Sequence, residues 1–385
     1  MKMKMKKNLY ALLAGSVLLA ACQTAPQQTV LKGELTGVES DTLIVNYFAV
    51  NDFRRQHVKH DTIALQQGKF SYTLPTDSIP TEVWLYAKPI AGMGYDMRAN
   101  TQVVLFPGQT ITLTGELKDC TASGSKFHDE LAAVVAQQKP IRIQMDSVSS
   151  LLIKLQNEKV PQEEIQKLYT EQFKPLISQQ KEVYVKYIRE HLNSDASLYL
   201  LSQLGLKESK EFLPQLDAAV KEGQLASLYE WIDAAIQRDL AFEEAKKNVA
   251  EGKPAPDFTL TDINGKPFTL SSLRGKYVVL DFWGSWCGWC IKGMPEMKKY
   301  YAKYQNKLEI VGIDCRDTEE KWKDAVKRHE LPWLNVQNDD ATDATLLYAV
   351  NGFPTKIVID PKGNINKIVI GEDPAFYKHL DQLFK

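Results

Sequence analysis

The stretch that most restricts how this chain can fold runs from Asp281 to Cys290, Asp-Phe-Trp-Gly-Ser-Trp-Cys-Gly-Trp-Cys. Just before and into it, Tyr277 to Phe282 is a short apolar run with β-branched residues, set between Gly275 and Gly284, and predicts a buried strand. After Cys287 the pattern changes. Ile291, Met294, Met297 and Tyr301 recur at spacings of three and four, which predicts a helix. Cys287 and Cys290 therefore fall where a strand hands over to a helix. A helix N-terminus offers unpaired N–H groups and partial positive charge, and both favour the thiolate, the reactive form of cysteine. Two intervening residues let the sulfurs meet without unwinding the helix. The expected chemistry is thiol–disulfide exchange, with Cys287 attacking and Cys290 resolving the mixed disulfide.

Other uses of a Cys-x-x-Cys pair fit less well. A zinc site wants four ligands, from a second such pair or paired histidines, and none of the six histidines has that spacing. Covalent haem attachment needs His after the second Cys, where Ile291 stands. A purely structural bridge would close too small a loop to stabilise much.

The flanking residues resemble thioredoxin. Trp286 before the first Cys, the aromatic pair Phe282-Trp283, and Pro295 within the expected helix match by position, and Gly352-Phe353-Pro354-Thr355 looks like the family's cis-proline loop. The resemblance implies that Trp286, Gly288, Trp289, Phe353, Pro354 and Thr355 shape the substrate groove. Upstream, Pro254-Ala255-Pro256-Asp257-Phe258-Thr259-Leu260, Asn264-Gly265-Lys266 and Leu273-Arg274-Gly275-Lys276 resemble the membrane-anchored TlpA/ResA-like thioredoxins. Peroxiredoxins share that opening, but they place Pro and Ser/Thr ahead of the peroxidatic Cys, where this chain has Asp281 and Gly284. Peroxidase is the weaker alternative. TlpA/ResA-like proteins usually carry Glu three residues after the second Cys, and here that residue is Gly293. An acid stands instead at Asp281, where thioredoxin keeps a buried Asp. Burial would raise its pKa and suit it to exchange protons with Cys290, so Asp281 joins Cys287 and Cys290 as a candidate catalytic residue.

With 385 residues, the chain predicts two or three domains. Residues 1–21 read as an export signal: a basic start, an apolar Leu9–Ala21 too short to span a bilayer comfortably, then Cys22. Leu19-Ala20-Ala21-Cys22 resembles the bacterial lipobox, which implies lipidation at Cys22. Residues 22–29 read as a polar tether. With no acidic run there, the resemblance to lipoprotein sorting patterns implies a cell-envelope, lipid-anchored, outer-membrane location facing the periplasm. Residues 30–120 predict an all-β sandwich, 125–250 a helical region, and 252–385 an α/β thioredoxin-like fold with a mixed sheet. The β-sandwich resembles the module that often precedes TlpA-like domains in Bacteroides-type lipoproteins.

Net charge is −1, and loss of the leader's Lys2, Lys4, Lys6 and Lys7 makes it more negative, so no nucleic acid partner is expected. His57 and His60 would lie on opposite faces of a strand, which argues against a shared metal. Trp84 and Tyr86 are expected in the core. Cys315 reads as a buried inert thiol, with pairing to Cys120 or a part as a third redox participant as the alternatives. No metal and no cofactor is expected. The resemblance implies an inner-membrane thiol electron donor as partner and, as substrates, disulfides of apocytochrome c or other envelope proteins. A second hypothesis makes the chain a client-binding lipoprotein with an auxiliary redox domain.

Overall fold

The structure is a computed structural model and describes residues 28–52, 55–75, 79–89 and 100–385. The expected signal segment 1–21, Cys22 and the tether up to residue 27 lie outside the described residues. The chain divides into two compact units, Met1–Trp231 and Ile232–Lys385.

In the first unit, β1 (Val30–Thr36), β2 (Thr42–Ala49), β3 (Lys59–Ala64), β4 (Lys69–Thr73), β5 (Thr81–Ala87), β6 (Asn100–Leu105), β7 (Thr110–Glu116) and β8 (Thr121–Ser123) build two sheets. Their orders are β4-β1-β7-β8 and β3-β2-β5-β6. Strand β1 shows why: Leu31 and Leu35 are buried while Lys32, Glu34 and Thr36 are exposed, the period-2 alternation of a strand with one dry face. Leu31, Ile111 and Leu113 of one sheet share a core with Leu43, Val83 and Leu85 of the other, which makes a sandwich. Strand β8 is too short for periodicity to reveal. The expectation for Trp84 is corrected. It lies on the face of β5 opposite Val83 and Leu85, is half-buried, packs on Phe48 and carries Arg55 over its ring at 4.0 Å.

Helices α1 (Lys126–Asn157), α2 (Gln162–Leu168), α3 (Lys174–Glu190), α4 (Asp195–Ser202), α5 (Leu206–Phe212), α6 (Ala218–Lys221) and α7 (Ala226–Asn248) follow. Ser125 starts α1 by accepting the His128 N–H. The pattern over Glu211–Lys221 predicts one helix, but the structure breaks it. Pro214 lacks an N–H and sits in a single 3-10 turn between α5 and α6. Conversely, α7 runs on to Asn248 through residues that read as a charged linker. Their charges project outward and pair along the helix, as Lys247 does with Glu244.

The second unit is organised on β11 (Tyr277–Trp283). With β9 (Thr259–Asp262), β10 (Pro267–Thr269), β12 (Leu308–Asp314), β13 (Leu334–Gln337), β14 (Thr355–Ile359) and β15 (Ile365–Ile370) it forms a sheet of order β10-β9-β13-β12-β11-β14-β15. Strand β11 runs parallel to β12 and antiparallel to β14, so the sheet is mixed. Helices α8 (Gly288–Tyr304), α9 (Glu319–Arg328) and α11 (Pro374–Leu383) cover one face, and α10 (Ala344–Leu347) lies on the other. Both faces are covered, which is why β11, Asp281 apart, is apolar along its length rather than alternating. Val279 and Trp283 point toward Met294, Met297 and Phe376. Val278, Leu280 and Phe282 point the other way, toward Phe258, Leu260 and Tyr348. Asp281 therefore belongs to the face that α8 covers.

Candidate active site

Strand β11 ends at Trp283, and the chain must turn sharply to start α8 five residues later. Gly284 makes the turn possible, because a Cβ there would overlap the Trp286 indole and come within 2.9 Å of the Cys315 carbonyl. The Asp317 carboxylate fixes the turn by accepting the Ser285 N–H at 2.6 Å and its hydroxyl at 2.7 Å. Cys287 then occupies the N-cap of α8, and its sulfur accepts the Cys290 N–H at 3.2 Å. This is the orphan donor that a capping side chain normally satisfies. A developing thiolate at Cys287 would receive the same N–H and the positive end of the helix. The two cysteines are joined as a disulfide with Cα atoms 5.3 Å apart, and both are buried.

The predicted groove residues gather at this end of the sheet. The Phe353–Pro354 peptide is cis. Thr355 pairs with Phe282 across β14 and β11, and its hydroxyl donates to the Gly352 carbonyl at 2.7 Å, which holds the loop beside the end of β11. Phe353 meets the Trp286 ring edge-on at 5.2 Å. Trp286 is half-exposed and donates from Nε1 to the Cys315 carbonyl at 2.9 Å, so its apolar face is held open to solvent. Trp289 is more exposed still and carries Lys292 over its ring. Gly288 opens α8 with no heavy atom near where a Cβ would stand, so a side chain there would meet only solvent. Two open tryptophans beside a disulfide give an extended peptide an apolar surface to lie on.

Residues 252–368 match the model of the AhpC/TSA family, and residues 29–131 match a domain of unknown function, DUF4369. Thiol-disulfide oxidoreductase ResA of Bacillus cereus is 41% identical over 128 residues, which span 33% of this chain and 73% of that protein. ResA of Bacillus subtilis is 36% identical over 129 residues, covering 33% and 70%. A solved thioredoxin domain of a thiol-disulfide oxidoreductase from Bacteroides vulgatus is 32% identical, covers 35% of this chain and 99% of that one, and has a TM-score of 0.34. This chain belongs to the thioredoxin-like thiol-disulfide oxidoreductases.

In this thioredoxin-like oxidoreductase, Asp281 is 4% exposed and sits opposite Lys356 in the β11–β14 register. Burial raises its pKa above the ordinary carboxylate value, Lys356 opposes that rise, and Glu372 adds to it. Lys356 is 2% exposed, with Nζ 3.7 Å from Asp281 Oδ1 and 2.7 Å from Glu372 Oε2. Sequence reasoning missed Lys356, Glu372 and Tyr377, whose hydroxyl donates to Glu372 at 2.8 Å. One signal was available. Lys356 interrupts an otherwise apolar strand, Thr355-Lys-Ile-Val-Ile359, buried at every position, and a lysine there needs carboxylates around it. Arg316 and Asp317 were missed too, because loop residues carry no period; the Arg316 guanidinium lies 5.7 Å from the Trp286 ring and 5.3 Å from that of Phe353.

Cys120 and Cys315 are both free thiols. Cys315 is 1% exposed, and burial pushes its thiol well above the usual range, with the Asp314 charge adding to the shift. We expect iodoacetamide to modify Cys287 of the reduced native protein within minutes and Cys315 only after unfolding. Peptide mapping checks this, and rapid native labelling of Cys315 contradicts it.

Proposed function

We propose that this oxidoreductase works as a periplasm-facing reductase of protein disulfides, held to the outer membrane through an acylated Cys22. The observation that carries the redox assignment is the Cys287 sulfur at the N-cap of α8, accepting the Cys290 N–H, with the second sulfur one turn away. In this reading the Cys287 thiolate attacks a substrate disulfide R–S–S–R′. A Cys287–S–S–R bond forms, and R′S⁻ leaves and takes a proton. Cys290 then loses its proton and attacks Cys287 Sγ, so that R–S⁻ leaves and takes a proton from water, and Cys287–Cys290 becomes a disulfide. Two electrons pass to the substrate, and a thiol donor at the inner membrane returns them. Trp286, Trp289, Phe353 and the Pro354 loop hold the substrate chain over Cys287, and Asp281 takes part in moving the Cys290 proton.

The direction of the reaction is set by the midpoint potential. We expect a Cys287–Cys290 value near that of thioredoxin, about −270 mV, rather than near the strong oxidant DsbA at about −120 mV. Redox titration against glutathione or dithiothreitol buffers measures it, and a value at the oxidising end reverses the proposed direction. Cys22→Ala should move the mature protein from the membrane to the soluble fraction, since acyl chains contribute about 0.8 kcal/mol per buried CH₂.

A further inference from the structure

The cycle above leaves one proton to place. Cys290 is 4% exposed, beneath the Cys287 cap, and must lose its proton before it can attack. Asp281 lies on the same face of the sheet, but its side chain is only 5% exposed and its charge is engaged by Lys356. A proton passed to Asp281 alone has no way out to water.

The way out lies one turn along α8. Gly293 is three residues beyond Cys290 and so shares its side of the helix. A Cβ built at Gly293 would overlap the carboxylate of Glu372, which comes from the loop between β15 and α11 and fills the space a side chain would need. Both oxygens of that carboxylate are held: Oε2 by Lys356 at 2.7 Å and Oε1 by the Tyr377 hydroxyl at 2.8 Å. Tyr377 also reaches the Gly293 carbonyl at 3.4 Å. Glu372 is therefore positioned against the active-site helix rather than left as a solvated loop acid. Its side chain is 15% exposed, against 5% for Asp281 and 2% for Lys356 between them.

We propose that Glu372, admitted to the flank of α8 by Gly293 and held there by Lys356 and Tyr377, carries the Cys290 proton between the buried Asp281–Lys356 pair and solvent. The charge count supports it. Asp281 from β11 and Glu372 face a single cation, Lys356 from β14, with Tyr377 from α11 and Glu296 from α8 as the other titratable neighbours. Two carboxylates on one ammonium carry a net charge of −1, and a single added proton brings the cluster to neutrality, so it is suited to accept the one that Cys290 gives up. The step balances. Cys290–SH gives its proton to the cluster and its sulfur electrons to Cys287 Sγ, the Cys287–S–S–R bond breaks, and R–S⁻ departs. The proton then leaves through Glu372.

This inference rests on the dithiol cycle proposed above, and the test separates the two. The reduced full-length protein is mixed with an aromatic disulfide whose released thiolate is coloured and needs no proton. The first coloured equivalent reports attack by Cys287, and the second reports resolution by Cys290. In Glu372→Gln the second phase should slow by about 10²-fold at pH 7, the scale of a lost general base, while the first phase changes less than about twofold. The pH dependence of the second phase should also differ from that of wild type, and Glu372→Asp should restore part of both. Gly293→Ala, which displaces the Glu372 carboxylate without removing any charge, should reproduce the slow second phase and serves if Glu372→Gln fails to fold. An unchanged second phase in both variants, or equal slowing of both phases, overturns the role of Glu372 while leaving the dithiol cycle intact. Wild type releasing only one equivalent would instead sink the cycle, and this proposal with it.

Discussion

Cys287→Ser should bring disulfide exchange down to the uncatalysed background, while Cys290→Ser should still perform the first step and then stop. The loss in the first variant is expected on the scale of the ~10⁶-fold found when a covalent nucleophile is deleted, because a serine hydroxyl does not ionise near neutral pH and gains nothing useful from the N-cap. Cys290→Ser keeps the Cys287 sulfur at the start of α8 and keeps the backbone N–H at residue 290 that it accepts. It should therefore form the Cys287–S–S–R mixed disulfide at near wild-type rate and accumulate it, because no second sulfur releases R. Non-reducing mass analysis after mixing with a disulfide-bonded peptide gives the result directly. Stable adducts on Cys290→Ser and none on Cys287→Ser are expected, and the reverse pattern would exchange the two roles. Proteins trapped on Cys290→Ser in cells would also identify the substrates. If Cys287→Ser kept full function in cells, the chain would act instead as a client-binding lipoprotein.

The second large effect is on stability. Lys356→Met should destabilise the second unit by about 3–5 kcal/mol at neutral pH, the usual cost of removing one partner of a buried ion pair. The side chain is 2% exposed and lies between Asp281 and Glu372, so its loss leaves the buried Asp281 carboxylate beside that of Glu372 with no cation between them. The effect has a definite sign with pH. Asp281 has its folded-state pKa raised by burial, so above the unfolded value the native state binds more protons than the unfolded state, and stability falls as pH rises through that window. Lys356 pulls that pKa down, and removing it steepens the fall. The gap between Lys356→Met and wild type should therefore be wider at alkaline than at acidic pH, because an Asp281 that has taken up its proton no longer needs the ammonium. Urea unfolding at an acidic and an alkaline pH measures it, and a gap independent of pH would mean that Lys356 acts by packing alone.

Particular residues show how far the chain could be read before its fold was known. Strand β12 over Leu308–Asp314 and strand β15 over Ile365–Ile370 can be read from the sequence, because an apolar run between turn residues is a local signal. The placement of Cys287 at the mouth of a helix follows from the change in period on either side of it. The break at Pro214 and the run of α7 through its charged end did not follow. A helix end is decided by small competing terms, and exposed charged residues are compatible with helix or linker alike. Asp281 could be named because strand β11 had to be buried. Lys356 was visible as an anomaly in β14, although its partners were not. Glu372 was not visible at all, since a loop acid far along the chain looks like any other surface charge.

Local pattern alone thus determined the elements of the second unit and the reactive pair, because period, turn residues and the Cys-x-x-Cys spacing all act within a few residues of one another. Only the tertiary structure decided which groups surround that pair. The β11–β14 register sets Lys356 opposite Asp281, and the missing side chain at Gly293 lets Glu372 approach α8. These neighbours come together across long stretches of chain, where packing and charge burial choose the partners and no local period records the choice.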